Sequence, residues 1–240
     1  MKAFEMARLA AEPFCIVLQS RVRSDLRRLH GLPGGMLLDV GGRSSPYTIG
    51  LDARITVLEL ARTSEEQARL NLGITDEIAD RLKARRSNID HVVIEDMTKC
   101  SLSSATFSGV VCVEVLEHVE AADAFVAQCQ RVLKPGGWFY ATSPNGDYIP
   151  LTEGRPDHVR HWRRAELHDL LGRYFERVEV VYGIRTGKNH LKGLRSFSAG
   201  RPLRTLGTMA ANRRHRRESA GLEQQSHHTA HLFATAFKAS

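Results

Sequence analysis

The chain has no hydrophobic run near its start that could cross a bilayer: the longest there, Phe14 to Leu18, is far too short. No small-residue cleavage site follows it, so neither a spanning helix nor a secretory leader is expected, and the chain reads as cytoplasmic. Paired-cysteine spacing is also missing. Cys15, Cys100, Cys112 and Cys129 form no CxxC, and Cys112 and Cys129 fall in apolar-periodic segments, which favours buried free thiols over disulfides or a metal site. There are no internal repeats. With 42% hydrophobic and 25% charged residues, 240 residues suffice for one sizeable α/β domain with decorations.

Acidic residues are absent from one long stretch. Arg185 to Arg217 holds ten Lys and Arg and no Asp or Glu, so the formal charge of +7 is concentrated there and the rest of the chain is net acidic. Its only aromatic is Phe197, which argues against single-stranded nucleic acid held by stacking.

The remaining pattern predicts alternating strands and helices. Leu18, Val22, Leu26 and Leu29 recur at helical spacing, with Arg21, Arg23, Arg27 and Arg28 largely on other faces. Residues 1–35 therefore read as a helical prelude packed on the domain edge, with a solvated basic face, a lid over a cofactor or a membrane-surface contact as its alternatives; Gly31 and Pro33-Gly34-Gly35 end it. Strands are predicted at Met36 to Val40, Ile55 to Leu60, His91 to Glu95, Gly109 to Val115, Trp138 to Thr142, Arg177 to Tyr182 and His231 to Phe237. Ser64 with Gln67 forms a capping box, Thr75 caps a helix over Asp76 to Arg86, and Ala122 to Leu133 is a helix broken by Lys134-Pro135-Gly136-Gly137. Residues 36–183 and 230–240 read as the core and 184–229 as a basic insertion, with a helix predicted around Leu203 to Ala211.

LLDVGGRSSPY, Leu37 to Tyr47, is a buried strand entering a glycine turn. A cofactor with a ribose, bound at the carboxyl edge of an α/β sheet, needs a turn whose backbone comes close to it and an acid one strand away. Gly41 and Gly42 supply the first and Glu59, twenty residues after Asp39, the second. The turn has no GxGxxG, so a cofactor without a pyrophosphate fits better.

The segments LLDVGG, TVLEL, IEDM, SGVVCVEVLEHV, RVLKPGGWFYATSPN and LFATAFKA, in this order, resemble the class I S-adenosylmethionine-dependent methyltransferases, and most of all the small-molecule group related to the ubiquinone-biosynthesis enzymes. The resemblance implies a Rossmann-like, doubly wound, seven-stranded, mostly parallel sheet with an antiparallel last strand and helices on both faces. It implies S-adenosylmethionine as cofactor, S-adenosylhomocysteine as product and no metal. Asp39 and Gly41 would line the methionine part, Glu59 the ribose, and Asp96 with Met97 the adenine, while Glu114 would face cofactor and acceptor. The family's second and third turn glycines are replaced by Arg43 and Ser45, so Gly42 is expected to absorb any positive φ, and Tyr47 either meets the cofactor or joins the core.

Methyl transfer from a sulfonium is a direct displacement, and an acid-base group is needed only where the acceptor must lose a proton. Asn145, Asp147, His158 and His161, in the segment after strand five, are the expected candidates; His118 reads as structural. The family's amino-methylating nucleic-acid enzymes carry an Asn or Asp-Pro-Pro-aromatic motif where this chain has EVLEHV. The expected acceptor is therefore a small molecule or glycan, and the basic stretch is matched to a phosphate-bearing small molecule, a nucleotide sugar or lipid-linked glycan, or an anionic membrane face. Two readings compete: a nucleic-acid-modifying or nucleic-acid-binding protein using residues 185–217, and a fold that has lost cofactor binding. Nothing in the sequence fixes an oligomeric state.

Overall fold

Seven strands form one sheet: β1 (Gly35–Val40), β2 (Ala53–Glu59), β3 (Ile89–Ile94), β4 (Phe107–Val113), β5 (Leu133–Pro144), β6 (Arg177–Arg185) and β7 (Thr229–Phe237). The structure is a computed structural model; it describes all residues except 32–33, 70–71, 153–156, 195–196 and 198–199, and of residue 66 only the backbone. Pro33 of the predicted helix stop and Arg195 of the basic stretch lie outside the described residues.

The strand order is β3-β2-β1-β4-β5-β7-β6, with β7 antiparallel to both of its neighbours and the other pairings parallel. Order reverses between β1 and β4, the switch point at which ligands of such sheets bind. Apolar runs such as ITVLE in β2 and GVVCV in β4 suit strands buried on both faces, and helices cover each face. On one face α5 (Ala122–Val132) and α6 (Arg164–Gly172) bring Phe125, Val126, Cys129, Leu167 and Leu171 onto Leu38, Val110 and Phe139. On the other, α2 (Val17–Leu29) lays Val22 and Leu26 on Leu37, Val111 and Tyr140. The predicted edge position of this helix is thus corrected: Val22 and Leu26 are fully buried on the sheet face with Leu18 and Leu29 partly buried beside them, and the Tyr140 hydroxyl donates to its Asp25 at 2.9 Å.

The N-terminus also forms α1 (Ala3–Ala11) and a 3-10 turn over Glu12–Phe14. Helices α3 (Glu65–Arg69) and α4 (Asp76–Arg85) start at the predicted caps: Gln67 N donates to Ser64 Oγ while its side chain accepts from Ser64 N, and Ile78 N donates to Thr75 Oγ1. Between β6 and β7 lie α7 (Lys188–Gly193) and α8 (Pro202–Glu218), packed together through His190 against His215. Helix α8 runs a full turn and more beyond its predicted end, because the arginines of NRRHRR are good helix formers and sit where the negative end of the helix dipole favours cations. Lys134 to Gly137, predicted as a break, is a bulge within β5, where the ladder with β4 skips from Phe107 to Gly109.

Candidate active site

At the end of β1 the chain turns through Gly41 at φ +71°, then makes one 3-10 turn over Gly42–Ser44. The path answers the question posed by Arg43 and Ser45. Gly41 alone takes the left-handed conformation, and a Cβ on it would stand 2.6 Å from Val115 Cγ2. Contrary to the expectation from sequence, Gly42 does not absorb a positive φ; it is needed because a Cβ there would meet Asp39 Cγ at 2.6 Å. Arg43 and Ser45 stay on the ordinary side of φ, so neither is strained.

Asp39 is sealed beneath this turn. Its carboxylate accepts from Thr48 Oγ1 at 2.8 Å, and Arg86, itself buried, donates to the same hydroxyl at 2.9 Å and to Ser45 O at 3.4 Å. Burial raises the Asp39 pKa, against the pull of Arg86 and the Thr48 and Ser45 hydrogen bonds. Asp39 therefore fastens the turn from below.

A cleft of about 330 Å³ opens above, lined by Gly41, Glu59, Asp96, Met97, Val115 and His118 among others. Glu59, at the end of β2, accepts from Arg43 N at 3.3 Å; burial raises its pKa, opposed by that bond and the Arg43 charge. Asp96 uses Oδ1 to hold Thr98 N at 2.9 Å and Thr98 Oγ1 at 2.8 Å, which fixes the turn that carries Met97.

A second cavity, about 400 Å³, lies behind the end of β4. Its walls are largely apolar, with Ile16, Val17, Leu18, Ile149, Ile184 and Leu194, and five histidines, His158, His161, His190, His215 and His231, reach into it beside Glu114. Segment 114–118 divides the two spaces: Glu114 faces this cavity, while Val115 and His118 face the cleft. Two non-glycine residues with positive φ stand on its wall, Glu114 at 55° and Ile184 at 66°, a strain that clusters at functional sites. Thr142 holds Glu114 there, its hydroxyl donating to Glu114 Oε1 at 2.7 Å. Oε2 lies 3.3 Å from His231 Nε2. Burial alone would raise the Glu114 carboxyl, but His231 and the Thr142 hydrogen bond outweigh it and hold the pKa below its ordinary value. His231 Nδ1 is buried with no hydrogen-bond partner.

His161 Nδ1 faces the Ile149 carbonyl at 2.9 Å and so carries the proton; its Nε2 then accepts from His158 Nδ1 at 2.9 Å. His190, on α7, is pushed down to about 4 by burial and by His215 and His231 facing it. Its folded pKa lies below the unfolded value of 6.5, so the unfolded chain binds more protons in between, and this contribution to stability is full above pH 6.5 and lost as pH falls toward 4. Acidifying from pH 7 to pH 5 should therefore cost about 1 kcal/mol through this residue, after solvent screening is discounted. Thermal unfolding across that range should show the loss, and His190→Gln should flatten it.

The expected site residues are distributed as follows. Gly41, Glu59, Asp96 and Met97 line the cleft; His158, His161 and Glu114 line the cavity. Asp39 lies under the turn and Gly42 within it, and Tyr47 packs with the α2-side core, where burial and the nearby carboxylates of Glu114 and Asp39 raise its pKa. Asn145 and Asp147 line neither space. Asn145 spends its amide on Ser226 O, Thr229 O and Thr229 Oγ1, and Asp147 accepts from Arg164 N and the Tyr182 hydroxyl. His231, His190 and His215 carry no local sequence signal that marks them. Among the described residues, Glu117, His118 and His158 form a set able to hold a metal ion, with one ligand atom each within 4.8 Å of the others.

A doubly wound sheet with a glycine turn, an acid one strand away and a cleft between them defines a nucleoside-cofactor protein. A family model described as a methyltransferase domain matches residues 38–141. A ubiquinone biosynthesis O-methyltransferase of Xanthomonas campestris pv. campestris is 31% identical over 190 residues, covering 67% of this chain and 75% of that protein. Another, from Idiomarina loihiensis, is 35% identical over 137 residues, covering 55% and 52%. Among solved structures, phosphoethanolamine N-methyltransferase 2 of Haemonchus contortus, in complex with phosphomonomethylethanolamine and S-adenosylhomocysteine, superposes with a TM-score of 0.61 at 14% identity, over 92% of this chain and 53% of that one. The chain spans about half the length of these last two proteins. It belongs to the class I S-adenosylmethionine-dependent methyltransferase family, in the small-molecule group that resembles the ubiquinone-biosynthesis enzymes.

Proposed function

We propose that this chain methylates an oxygen of a small, largely apolar acceptor held in the histidine-lined cavity. The observation that carries the reading is the cavity itself: apolar walls, one carboxylate–imidazole pair, and a single segment, 114–118, between it and the cofactor cleft. Such walls suit a ring or short chain better than a glycan. The O-methyltransferase relatives support oxygen as the acceptor atom.

The residues of the cleft fit S-adenosylmethionine, because a side chain at Gly41 would close the approach and Glu59 stands at the cleft wall with a carboxylate for ribose hydroxyls. When bound, this cofactor supplies an electrophilic methyl group on a sulfonium. Glu59 binds the ribose, Asp96 and Met97 border the adenine, and Gly41 leaves room for close backbone approach. On the other side Glu114 and His231, with Oε2 and Nε2 3.3 Å apart, form the carboxylate–imidazole pair on the cavity wall that takes the acceptor's proton. The apolar walls exclude water, which would otherwise screen the developing charge.

Calorimetry with S-adenosylmethionine and S-adenosylhomocysteine tests the cofactor half. Glu59→Ala should weaken both about tenfold or more through loss of charged hydrogen bonds; no heat from the native protein at roughly millimolar ligand would sink the reading. Methyl-labelled cofactor with a fractionated lysate tests the other half, with label expected in the small-molecule pool rather than in protein or nucleic acid.

A further inference from the structure

Helix α8 presents two unlike faces. Thr208, Ala211, Asn212 and His215 are buried against the body, where Asn212 Nδ2 donates to Phe14 O at 2.9 Å. The opposite stripe, at helical spacing, is Leu203, Leu206, Ala210, Arg213, Arg214 and Arg217, all exposed. Leu203 is 84% and Leu206 60% exposed, and Leu191 on the adjoining α7 is 66% exposed. Leucines this exposed at i, i+3 on a helix, followed by arginines on the same face, are not an ordinary solvated surface. Residues 185–217 contain no acid to repel an anionic partner, and Glu218 at the end of α8 accepts from Asn189 Nδ2 at 2.8 Å.

We infer that the outer face of α7 and α8 docks on an anionic lipid surface. The leucines enter the boundary between headgroups and acyl chains, and the arginines further along α8 meet the lipid phosphates. This division of labour separates the lipid from nucleic acid, whose phosphates would leave the leucines in water and gain nothing from them. The same two helices wall the proposed acceptor cavity through His190, Asn212 and His215, with Leu194 directly after α7, so docking brings that cavity to the membrane surface, where an apolar acceptor concentrates. The docking stands on the surface alone; only the delivery of an acceptor rests on the proposed function.

Sedimentation with vesicles containing about one-third phosphatidylglycerol in phosphatidylcholine, compared with phosphatidylcholine alone, tests it. The full chain should bind the anionic vesicles, release as salt rises, and bind the neutral ones at least about tenfold more weakly. Leu203→Ser with Leu206→Ser should lower binding about tenfold or more by withdrawing apolar area, and Arg213→Gln with Arg214→Gln should reduce both the binding and its salt dependence. All four side chains are exposed, so the fold should be retained, and S-adenosylmethionine calorimetry on the same preparations checks this. Absence of binding to anionic vesicles at low salt, binding that is unchanged in the leucine pair, or tighter binding to random-sequence RNA that is indifferent to the leucines would each overturn the docking. Because cofactor binding is read separately, none of these outcomes bears on the methyltransferase reading, and a failure of cofactor binding leaves the lipid result standing.

Discussion

Glu114→Gln and His231→Gln should each lower methyl transfer about 10²- to 10⁴-fold, the range of a positioned proton acceptor, while leaving S-adenosylmethionine affinity nearly unchanged. The cofactor cleft is lined by Gly41, Glu59, Asp96 and Val115, and neither substituted residue reaches it. In the proposed chemistry the two act as a unit, because Glu114 Oε2 lies 3.3 Å from His231 Nε2 and the proton is taken by the pair. The double variant should therefore lose little more than either single one. The measurement is label transfer into the acceptor pool under saturating cofactor, with calorimetry as control. Two rates that multiply would separate the roles, and full activity in His231→Gln would remove it from the chemistry. The conservative replacements matter, because an unpaired Glu114 with its backbone at φ 55° would otherwise lower stability and confuse the result.

The position of Glu114 shows how fold and site are joined. Strand β4 ends at Val113, and the positive φ of the next residue swings the carboxylate into the acceptor cavity while Val115, one residue on, packs on the cofactor turn at Gly41. One strained residue thus gives each space its own side chain. The Thr142 hydroxyl, from the neighbouring strand β5, donates to the Glu114 carboxylate and helps to maintain that geometry.

Much of this architecture was legible in the chain because it depends on local signals. Continuous apolar runs marked β1, β2 and β4, Ser64 with Gln67 and Thr75 marked helix starts, and the spacing of Asp39 to Glu59 placed an acid one strand from the glycine turn. The histidine-lined cavity was not legible, since its wall joins Val17, Glu114, Ile149, His161, Ile184, His215 and His231, and no local pattern links them. His158 and His161 were visible as a pair in one loop; His190, His215 and His231 meet only after the sheet has brought β6 and β7 together. Charge misled in two places. Arg23 looked like part of a solvated face, yet it is buried and spends its guanidinium group on Glu12 and on backbone carbonyls around the turn after β1, where Arg86 is buried as well. Asn145 and Asp147 looked reactive because of the loop they occupy, but the Asn145 amide and Asp147 Oδ2 hold that loop to β7 and α6.

Arg23 is where stability and cofactor binding should fail together. Its side chain, 2% exposed, pairs with Glu12 at 2.9 Å and donates through Nη1 to the carbonyls of Pro46, Tyr47 and Ile49 at 2.9, 3.2 and 2.7 Å. Arg23→Met keeps the stem but leaves three carbonyls without their donor, in a loop that has Thr48 at its centre and, through Thr48, holds Asp39. Glu12 is spared the full penalty because Arg27 also pairs with it, at 2.7 Å. The loss should therefore be about 2–4 kcal/mol, toward the lower end of what breaking a buried pair costs. For a chain of this size that is a fall in Tm of roughly 5–15 °C. Arg23→Lys restores the charge opposite Glu12 but not the planar fork that reaches the loop carbonyls, so it should recover only a minor part of the stability. Cofactor affinity should drop in both variants, since the turn that carries Gly41 loses its support from below. A Lys variant as stable as the native chain, measured by thermal unfolding, would show that the ion pair and not the carbonyl contacts holds this loop.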